Sequence, residues 1–528
     1  MEGVMSDKYD VLAIGSGHNG LIAAAYLARA GKRVLVLERN PHLGGGCVTS
    51  EIAAPGFFHD WHSALHVLIQ ANPLIRDDEL GLISQFGLEY IYPEGMYSTV
   101  FDDGDSLVTY RDLEKTCEAI ARISPKDADA YRAFVAQSSA VLPLMLQGLF
   151  VPPAPQGAFW ALLDQSTDGR ALMHIMQKSM LDIVNDHFEH DKVKIHLMKC
   201  AAELLIEPDE KGTGAFIFNM AGFVHSFPWG IPKGGSRALV DALVRCLEAE
   251  GADIRADSPV EQVLVRDGKV HGVRLDGGEV IPADIVIGQI HPWLLGAMVE
   301  DLDEGVAGRA RNTKTSPYSL MSAFYAMAEV PQFDAPKEAS YVAAMNFAPA
   351  SLEAYLRVFD DLRYGDLPKS LTLGITNLAQ FDPARAPDGG ATLAVHAFAP
   401  CELRGGADWD ARKDDMRRHM DAVTAGICAN FNADTLVGAD FATPRDSTRH
   451  TPTFQAGDVG GIGKAFFQMG GHRPTPELSQ YAVPGAEGLY LAGAFMHPPG
   501  GVTGGGRATA IRICDDLAID FAAISESR

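Results

Sequence analysis

The hexapeptide Gly15-Ser16-Gly17-His18-Asn19-Gly20 constrains this chain more than any other segment, because of what stands on either side of it. Before it, Tyr9-Asp10-Val11-Leu12-Ala13-Ile14 is a short apolar run ending in glycine, the pattern of a strand buried on both faces of a parallel sheet. After it, Leu21 to Ala30 is rich in alanine and leucine, lacks proline and glycine, and stops at Gly31, which suits a left-handed residue beyond a helix end. Val34-Leu35-Val36-Leu37 predicts a second parallel strand, completing a βαβ unit with a right-handed crossover. In that setting Gly15 allows the tight turn, Gly17 lets the backbone approach a pyrophosphate, and Gly20 permits close packing of helix on strand. The helix N-terminus faces the phosphate charge. Glu38 ends the second strand, where a carboxylate hydrogen-bonds ribose hydroxyls and disfavours a 2′-phosphate. The segment reads as a dinucleotide site.

NAD satisfies those residues as well as FAD does, and the choice rests on the residues directly beyond Glu38. Pro41-His42-Leu43-Gly44-Gly45-Gly46 adds a second stretch of bare backbone there, and no second G-x-G-x-x-G occurs. Tyr9 to Gly46 resembles the FAD-binding motif of the glutathione-reductase-like flavoproteins. A disulfide reductase of that class needs a second nucleotide domain and paired cysteines, whereas the seven cysteines here are scattered, as reduced and buried thiols are. Near the other end, Gly488 to Ala494 predicts a strand running into glycine, followed by His497-Pro498-Pro499-Gly500-Gly501-Val502-Thr503-Gly504-Gly505-Gly506 and a helix from about Arg507 to Ala522. That loop and helix N-terminus can stabilise negative charge on a flavin ring. Between the two blocks, Arg237 to Glu250 predicts a helix. Val260–Val265, Val270–Leu275 and Ile285–Ile287 predict strands separated by Asp267-Gly268 and Asp276-Gly277-Gly278 turns.

The three blocks, roughly 9–70, 228–292 and 485–522, resemble the phytoene desaturase-like branch of the FAD-dependent amine oxidase superfamily. The loop from His497 to Gly504 is similar to that of its pyridine-nucleotide-disulfide-oxidoreductase-related members. The resemblance implies that Gly15, Gly17, Gly20, Glu38, Arg39, Gly45 and Gly46 hold the ADP half of FAD and that Val260 presents its backbone to adenine. It further implies that Gly493 and Ala494 meet the ribityl and pyrophosphate region, with Gly501 and Val502 beneath the flavin. One departure is visible: carotenoid desaturases usually place arginine directly after the Gly-Gly pair, where this chain has Gly46-Cys47.

The fold class expected is α/β: a Rossmann-like FAD-binding domain with a parallel sheet (1–70, 228–295 and 455–528) plus a discontinuous α+β substrate domain (71–227 and 296–454). Lys+Arg 44 against Asp+Glu 68 gives a net charge of −24, which repels nucleic acid. Met1 to Asp7 has neither a basic nor an apolar leader segment, so a cytoplasmic location is expected. The apolar tract from Val141 to Leu163 is interrupted by Pro143, Pro152, Pro153 and Pro155, which leaves room for peripheral membrane contact but not for one spanning helix.

For the chemistry, a flavin accepts hydride while the protein supplies orientation and excludes water. No metal is required. His59, His62 and His66 lie in a histidine-rich stretch after the glycine cluster, and His59 and His62 are candidate acids or bases. His497, four residues before Gly501, is a third. Met173, Met176 and Met180, with Phe216, Phe218, Phe223, Phe227 and Trp229, can line a pocket for a lipophilic or aromatic molecule or fill an ordinary core. Arg449 to Pro452 and Gln468 to His472 are candidates to bridge the domains. The reaction expected is dehydrogenation or desaturation, with an oxygen-using amine oxidase and a double-bond reductase as competing enzymes and a flavin-binding interaction protein without turnover as the competitor from another class. The electron acceptor (oxygen, quinone or another carrier) and the oligomeric state are open at this level.

Overall fold

The structure, a computed structural model, describes residues 8–526, so the leader reading of Met1 to Asp7 falls outside the described residues. Strand β1 (Tyr9–Ile14), helix α1 (His18–Arg29) and strand β2 (Val34–Leu37) form the βαβ unit read from the sequence. Helix α1 starts at His18 rather than Leu21, because Gly17 takes the extended N-cap conformation directly after the turn.

Strand Asp253–Arg255 lies beside β2, and β1 lies between β2 and strand Val280–Gly288, which in turn pairs with Leu489–Leu491; all four pairings are parallel. Successive residues of β1 explain the unbroken apolar run. Val11 and Ala13 pack under α1, Arg237–Ala249 and Gly506–Asp516, while Leu12 and Ile14 join the core on the opposite face with Val286, Leu489 and Leu491. The first half of Val280–Gly288 continues into an antiparallel ribbon with Lys269–Leu275 and Val260–Arg266, turned at Asp267-Gly268 and Asp276 to Gly278 as expected.

A second sheet runs in the order 436–442, 319–327, 391–399, 373–377, 344–348, 95–101, 106–110, antiparallel except where Ala344–Ala348 meets Gly95–Phe101. Alternation decides its faces: Met321, Ala323, Leu393 and Val395 join a core shared with helix Trp409–Ile427. Leu320, Ser322, Ala394 and His396 point the other way and stay only half-buried.

Two expectations fail locally. Helix Pro125–Leu149 passes through Pro143, which sits on its exposed side; one turn earlier Ser138 Oγ bonds Phe218 O and Gly222 N–H, holding the helix on its neighbour. Among the described residues no helix is long and apolar enough to cross a membrane. The last helix ends at Asp516 instead of running to Ala522. Asp515 and Asp516 put two carboxylates at the negative helix end, and Ala518 turns left-handed (φ 53°) before a short helix Phe521–Ser525.

One buried network ties three distant segments together. Asp60 accepts from Arg385 Nη1 (2.7 Å), Thr49 Oγ1 (2.5 Å) and the Ser236 amide (2.8 Å), and Arg385 also reaches Asp382 (3.3 Å) and Pro232 O (3.0 Å). Asp60→Asn removes one of the two buried carboxylates of Arg385 and leaves Asp382 as its counter-charge, so stability is expected to fall by about 1–3 kcal/mol, the range for a lost charge-assisted hydrogen bond. The midpoint of urea unfolding measures it, and an unchanged midpoint contradicts it.

Candidate flavin site and substrate cavity

A cavity of about 610 Å³ runs from the C-terminal ends of the parallel strands to the half-buried face of the second sheet. Its first half is walled by backbone. Gly15, Gly17, Glu38, Arg39, Gly45, Gly46, Val260, Gly493, Ala494, Gly501 and Val502 all line it, so the glycine loops of both chain ends meet at one space. They meet because Leu489–Leu491 and β1 flank the same strand. Gly20 does not line the cavity. A Cβ there would stand 2.2 Å from Gln289 Nε2, so its role is packing of α1 on the residue following strand Val280–Gly288.

Close approach is built into the loops: a Cβ on Gly45 would lie 3.1 Å from Gly17 Cα, and one on Gly46 2.9 Å from the Phe454 ring. Ser16, an unassigned position of the motif, is the fastener. Its N–H and hydroxyl donate to Glu38 Oε2 (2.9 and 2.7 Å), and its Oγ accepts from the Gly44 amide (3.0 Å). Glu38 Oε1 accepts from the Asn40 amide (2.9 Å). On the same wall His18 Nε2 and Thr503 Oγ1 are buried without a partner. Bare backbone, a helix N-terminus and two polar atoms lacking partners suit a dinucleotide carrying phosphates and a polar ring.

The three histidines singled out in the sequence part company. His62 is on the cavity wall, its Nε2 3.2 Å from His450 Nδ1, and burial with that second imidazole lowers its pKa to about 3. His59 turns away to Tyr325 O (3.1 Å), and burial lowers its pKa too. His497 bonds Gly148 O (2.9 Å), and burial brings it to about 4. Neither His59 nor His497 reaches the cavity. His66 is held by Tyr90 and Ser236, so His59, His62 and His66 share no common centre among the described residues. Burial pushes the Cys47 thiol up to about 12, which leaves it a packed thiol.

Sequence reasoning missed Lys464 and Arg473. Lys464 is buried on the wall beside Gly460 and Gly500 and has no hydrogen-bond partner among the described residues. Burial lowers its pKa to about 8 against the pull of Asp458. It also lines a second, smaller cavity of about 330 Å³ with Glu207, Glu210 and Arg363. A lone lysine in the glycine-rich run Gly460-Gly461-Ile462-Gly463-Lys464 was the available signal.

The profile of the NAD(P)-binding Rossmann-like domain matches residues 14–77, and that of the flavin containing amine oxidoreductases matches residues 164–518. The chain belongs to the flavin containing amine oxidoreductase family. A limonene dehydrogenase polypeptide of Castellaniella defragrans is 25% identical, over 97% of this chain and 95% of its own length. Pyridine nucleotide-disulfide oxidoreductase domain-containing protein 2 of Rattus norvegicus is 27% identical over 98% and 95%. The lycopene-forming phytoene desaturase of Pseudescherichia vulneris is 24% identical over 96% and 99%. Among solved structures, putrescine oxidase bound to putrescine superposes with a TM-score of 0.61 at 16% identity, covering 97% of this chain and 99% of that one. This flavoprotein of the phytoene desaturase-like and amine oxidase superfamily is an FAD-dependent oxidoreductase.

The far half of the family member's cavity is lined by Tyr97, Trp229, Met220, Leu320 and Phe324. Of the apolar residues singled out in the sequence only Trp229 is there; Met180, Phe218 and Phe223 are core, and Met173, Met176, Phe216 and Phe227 stay off the wall. Met180, Phe216 and Phe218 pack in a core that their helices share with Phe101, Leu107 and Phe398 of the second sheet, and Phe223 and Phe227 pack with Leu142 and Phe150. Thr451 and Pro452 do border the cavity, and His450 beside them stacks on Trp61, a wall residue, at 4.9 Å.

Proposed function

We propose that this enzyme removes hydride from a C–H bond of a neutral, largely apolar small molecule and leaves a new double bond. The charge around the cavity carries this reading. Three carboxylates line it, and each is already engaged: Glu38 by Ser16 and Asn40, Asp60 by Arg385, and Glu203 by Lys199 and His396. A cationic amine would find no free counter-charge, and Arg39 on the wall would repel it. The aromatic and aliphatic far wall suits an apolar body. Relatives named for limonene and phytoene, both hydrocarbons, support the same class.

Bound FAD supplies the two-electron acceptor. The glycine loops and the N-terminus of α1 hold it, with Ser16 fixing one loop to the other through Glu38. Tyr97, Trp229 and Phe324 orient the substrate and keep water out. Losing hydride from one carbon to form a double bond also releases a proton, and we assign Lys464 Nζ to receive it. Its proton affinity is close to neutrality, and it stands between the cavity and the second space with Glu210, whose carboxyl burial raises to about 7.

Anaerobic mixing of the FAD-loaded protein with terpenoids, carotenoids, alcohols and amines tests the class. Loss of the flavin colour with neutral donors is expected, and colour lost with amines alone overturns the reading. Peroxide release on readmitting air identifies oxygen as acceptor.

Lys464→Met is expected to keep its flavin, lose turnover at least about a hundredfold, and gain stability. The folded pKa of about 8 lies below the ordinary 10.5, so the folded state carries a penalty that is complete below pH 8 and disappears as pH rises toward 10.5. Removing the amine therefore gains roughly 3 kcal/mol at neutral pH and nothing in strong alkali. Thermal unfolding of both proteins across that range measures it; parallel curves sink the assignment.

A further inference from the structure

The floor of the cavity has a polar row that the proposed hydride chemistry does not use. Ser322, His396, Gly374 and Asn346 occupy one cross-strand register of the second sheet, each paired with the next, and all four line the cavity. A Cβ at Gly374 would stand 2.2 Å from His396 Cε1 and Nε2, so glycine at that point makes the room in which the imidazole lies.

His396 is held from behind. Its Nε2 is 2.8 Å from Glu203 Oε2, and Lys199 Nζ, fully buried and 4.6 Å from the Phe398 ring centroid, contacts Glu203 Oε1. Burial alone would raise the Glu203 pKa, but Lys199 and His396 beside it win and hold it well below the usual carboxylate range. A carboxylate can only accept, so Nε2 carries the proton. In the neutral imidazole Nδ1 is then a lone pair. It has no protein partner among the described residues and is not one of the buried unpartnered atoms, so it stays accessible at the cavity. Lysine and glutamate together are neutral, which offers nothing to an ammonium and leaves a directional acceptor for an O–H donor.

We propose that His396, held by Glu203 and Lys199 and flanked by Ser322 and Asn346, anchors a neutral hydroxyl group on an otherwise apolar substrate. The inference rests on the reading that this cavity admits a neutral substrate. It makes His396 a specificity residue and Glu203 a positioning residue acting through it.

Three probes of one shape separate the alternatives: cyclohexylmethanol, its methyl ether and cyclohexylmethylamine. Each is titrated calorimetrically into the anaerobic FAD-loaded protein. The alcohol is expected to bind about tenfold more tightly than the ether, which lacks the O–H, and the amine no better than the ether. His396→Leu removes the acceptor and is expected to erase the preference. In Glu203→Gln the amide oxygen stays toward Lys199 and the amide N–H turns to Nε2. The proton moves to Nδ1, and the ether catches up with the alcohol; a merely structural glutamate would leave the ratio unchanged. Flavin content certifies folding of each variant. Equal affinities for alcohol and ether in the parent protein, a preference that survives both substitutions, or tightest binding of the amine overturns the proposal. Flavin bleaching is read separately. A preference for the alcohol without bleaching by any donor upholds the anchor and fells the dehydrogenase reading, and bleaching by hydrocarbons without that preference does the reverse.

Discussion

Valine in place of Gly17 is expected to give a folded, soluble and colourless protein. The backbone at Gly17 is extended (φ −62°, ψ 149°), a conformation valine adopts without strain, and it precedes α1 rather than interrupting it. A Cβ there would meet the far end of the Gln289 side chain at 2.4 Å, and that side chain can swing aside. Neither fact threatens the fold. What the substitution fills is the cavity wall, where Gly17 and Gly45 approach as bare backbone and the amides of the first turn of α1 point outward. Two methyl groups there occupy the space a pyrophosphate needs, and the affinity lost is expected to be at least about a thousandfold, roughly 4 kcal/mol. The flavin-to-protein absorbance ratio of purified material measures it, with circular dichroism to confirm folding. Gly157→Ala is the control, since a Cβ at Gly157 meets nothing within 4 Å. A yellow Gly17→Val protein with one flavin per chain would falsify the placement of the pyrophosphate.

The same loop shows why the nucleotide half was legible. From Tyr9 to Gly46 every signal is local: an apolar run, a turn, a helix and an acid, each interpretable from neighbours in sequence. That the C-terminal glycines join them follows from one further fact, the parallel pairing of Leu489–Leu491 with Val280–Gly288, which a strand ending in glycine foreshadowed. The substrate half had no such locality. The row Ser322, His396, Gly374 and Asn346 exists only through the pairing of four strands far apart in sequence, and period-2 alternation around Ala394 and His396 marks a two-faced strand without saying which face meets a cavity. Histidines show the limit most clearly. His59 and His62 are neighbours in one stretch, yet one faces Tyr325 and the other the cavity, because the strand Phe58–Asp60 ends between them. Position near a motif predicted proximity to the site, not direction toward it.

Arg473 carries the second large expectation, for a reason the chain's local pattern conceals. Its guanidinium is fully buried with no carboxylate in contact among the described residues, and it donates to five backbone carbonyls: Met496 (3.0 Å), Gly463 (2.9 Å), Gln468 (3.3 Å), Ile462 (3.2 Å) and Ala494 (2.9 Å). These belong to two loops, one bearing Lys464 and the other running from Gly493 toward the glycine turn at Gly500. Among the described residues Arg473 is the only partner of the Ile462, Gln468, Ala494 and Met496 carbonyls. Arg473→Met relieves the cost of burying a charge, several kcal/mol, but orphans four acceptors at about 1–3 kcal/mol each. The two terms nearly cancel in global stability, and the loops then have nothing holding them at one spacing. The effect is therefore expected in the site: flavin affinity falls at least about a hundredfold, roughly 3 kcal/mol, while the unfolding midpoint moves much less. Arg473→Lys, with three donors for five acceptors and no planar fork, should fall between the two. Equilibrium dialysis of FAD against the three proteins decides it, and a methionine variant that holds flavin as tightly as its parent would show that the loops are spaced by something other than this side chain.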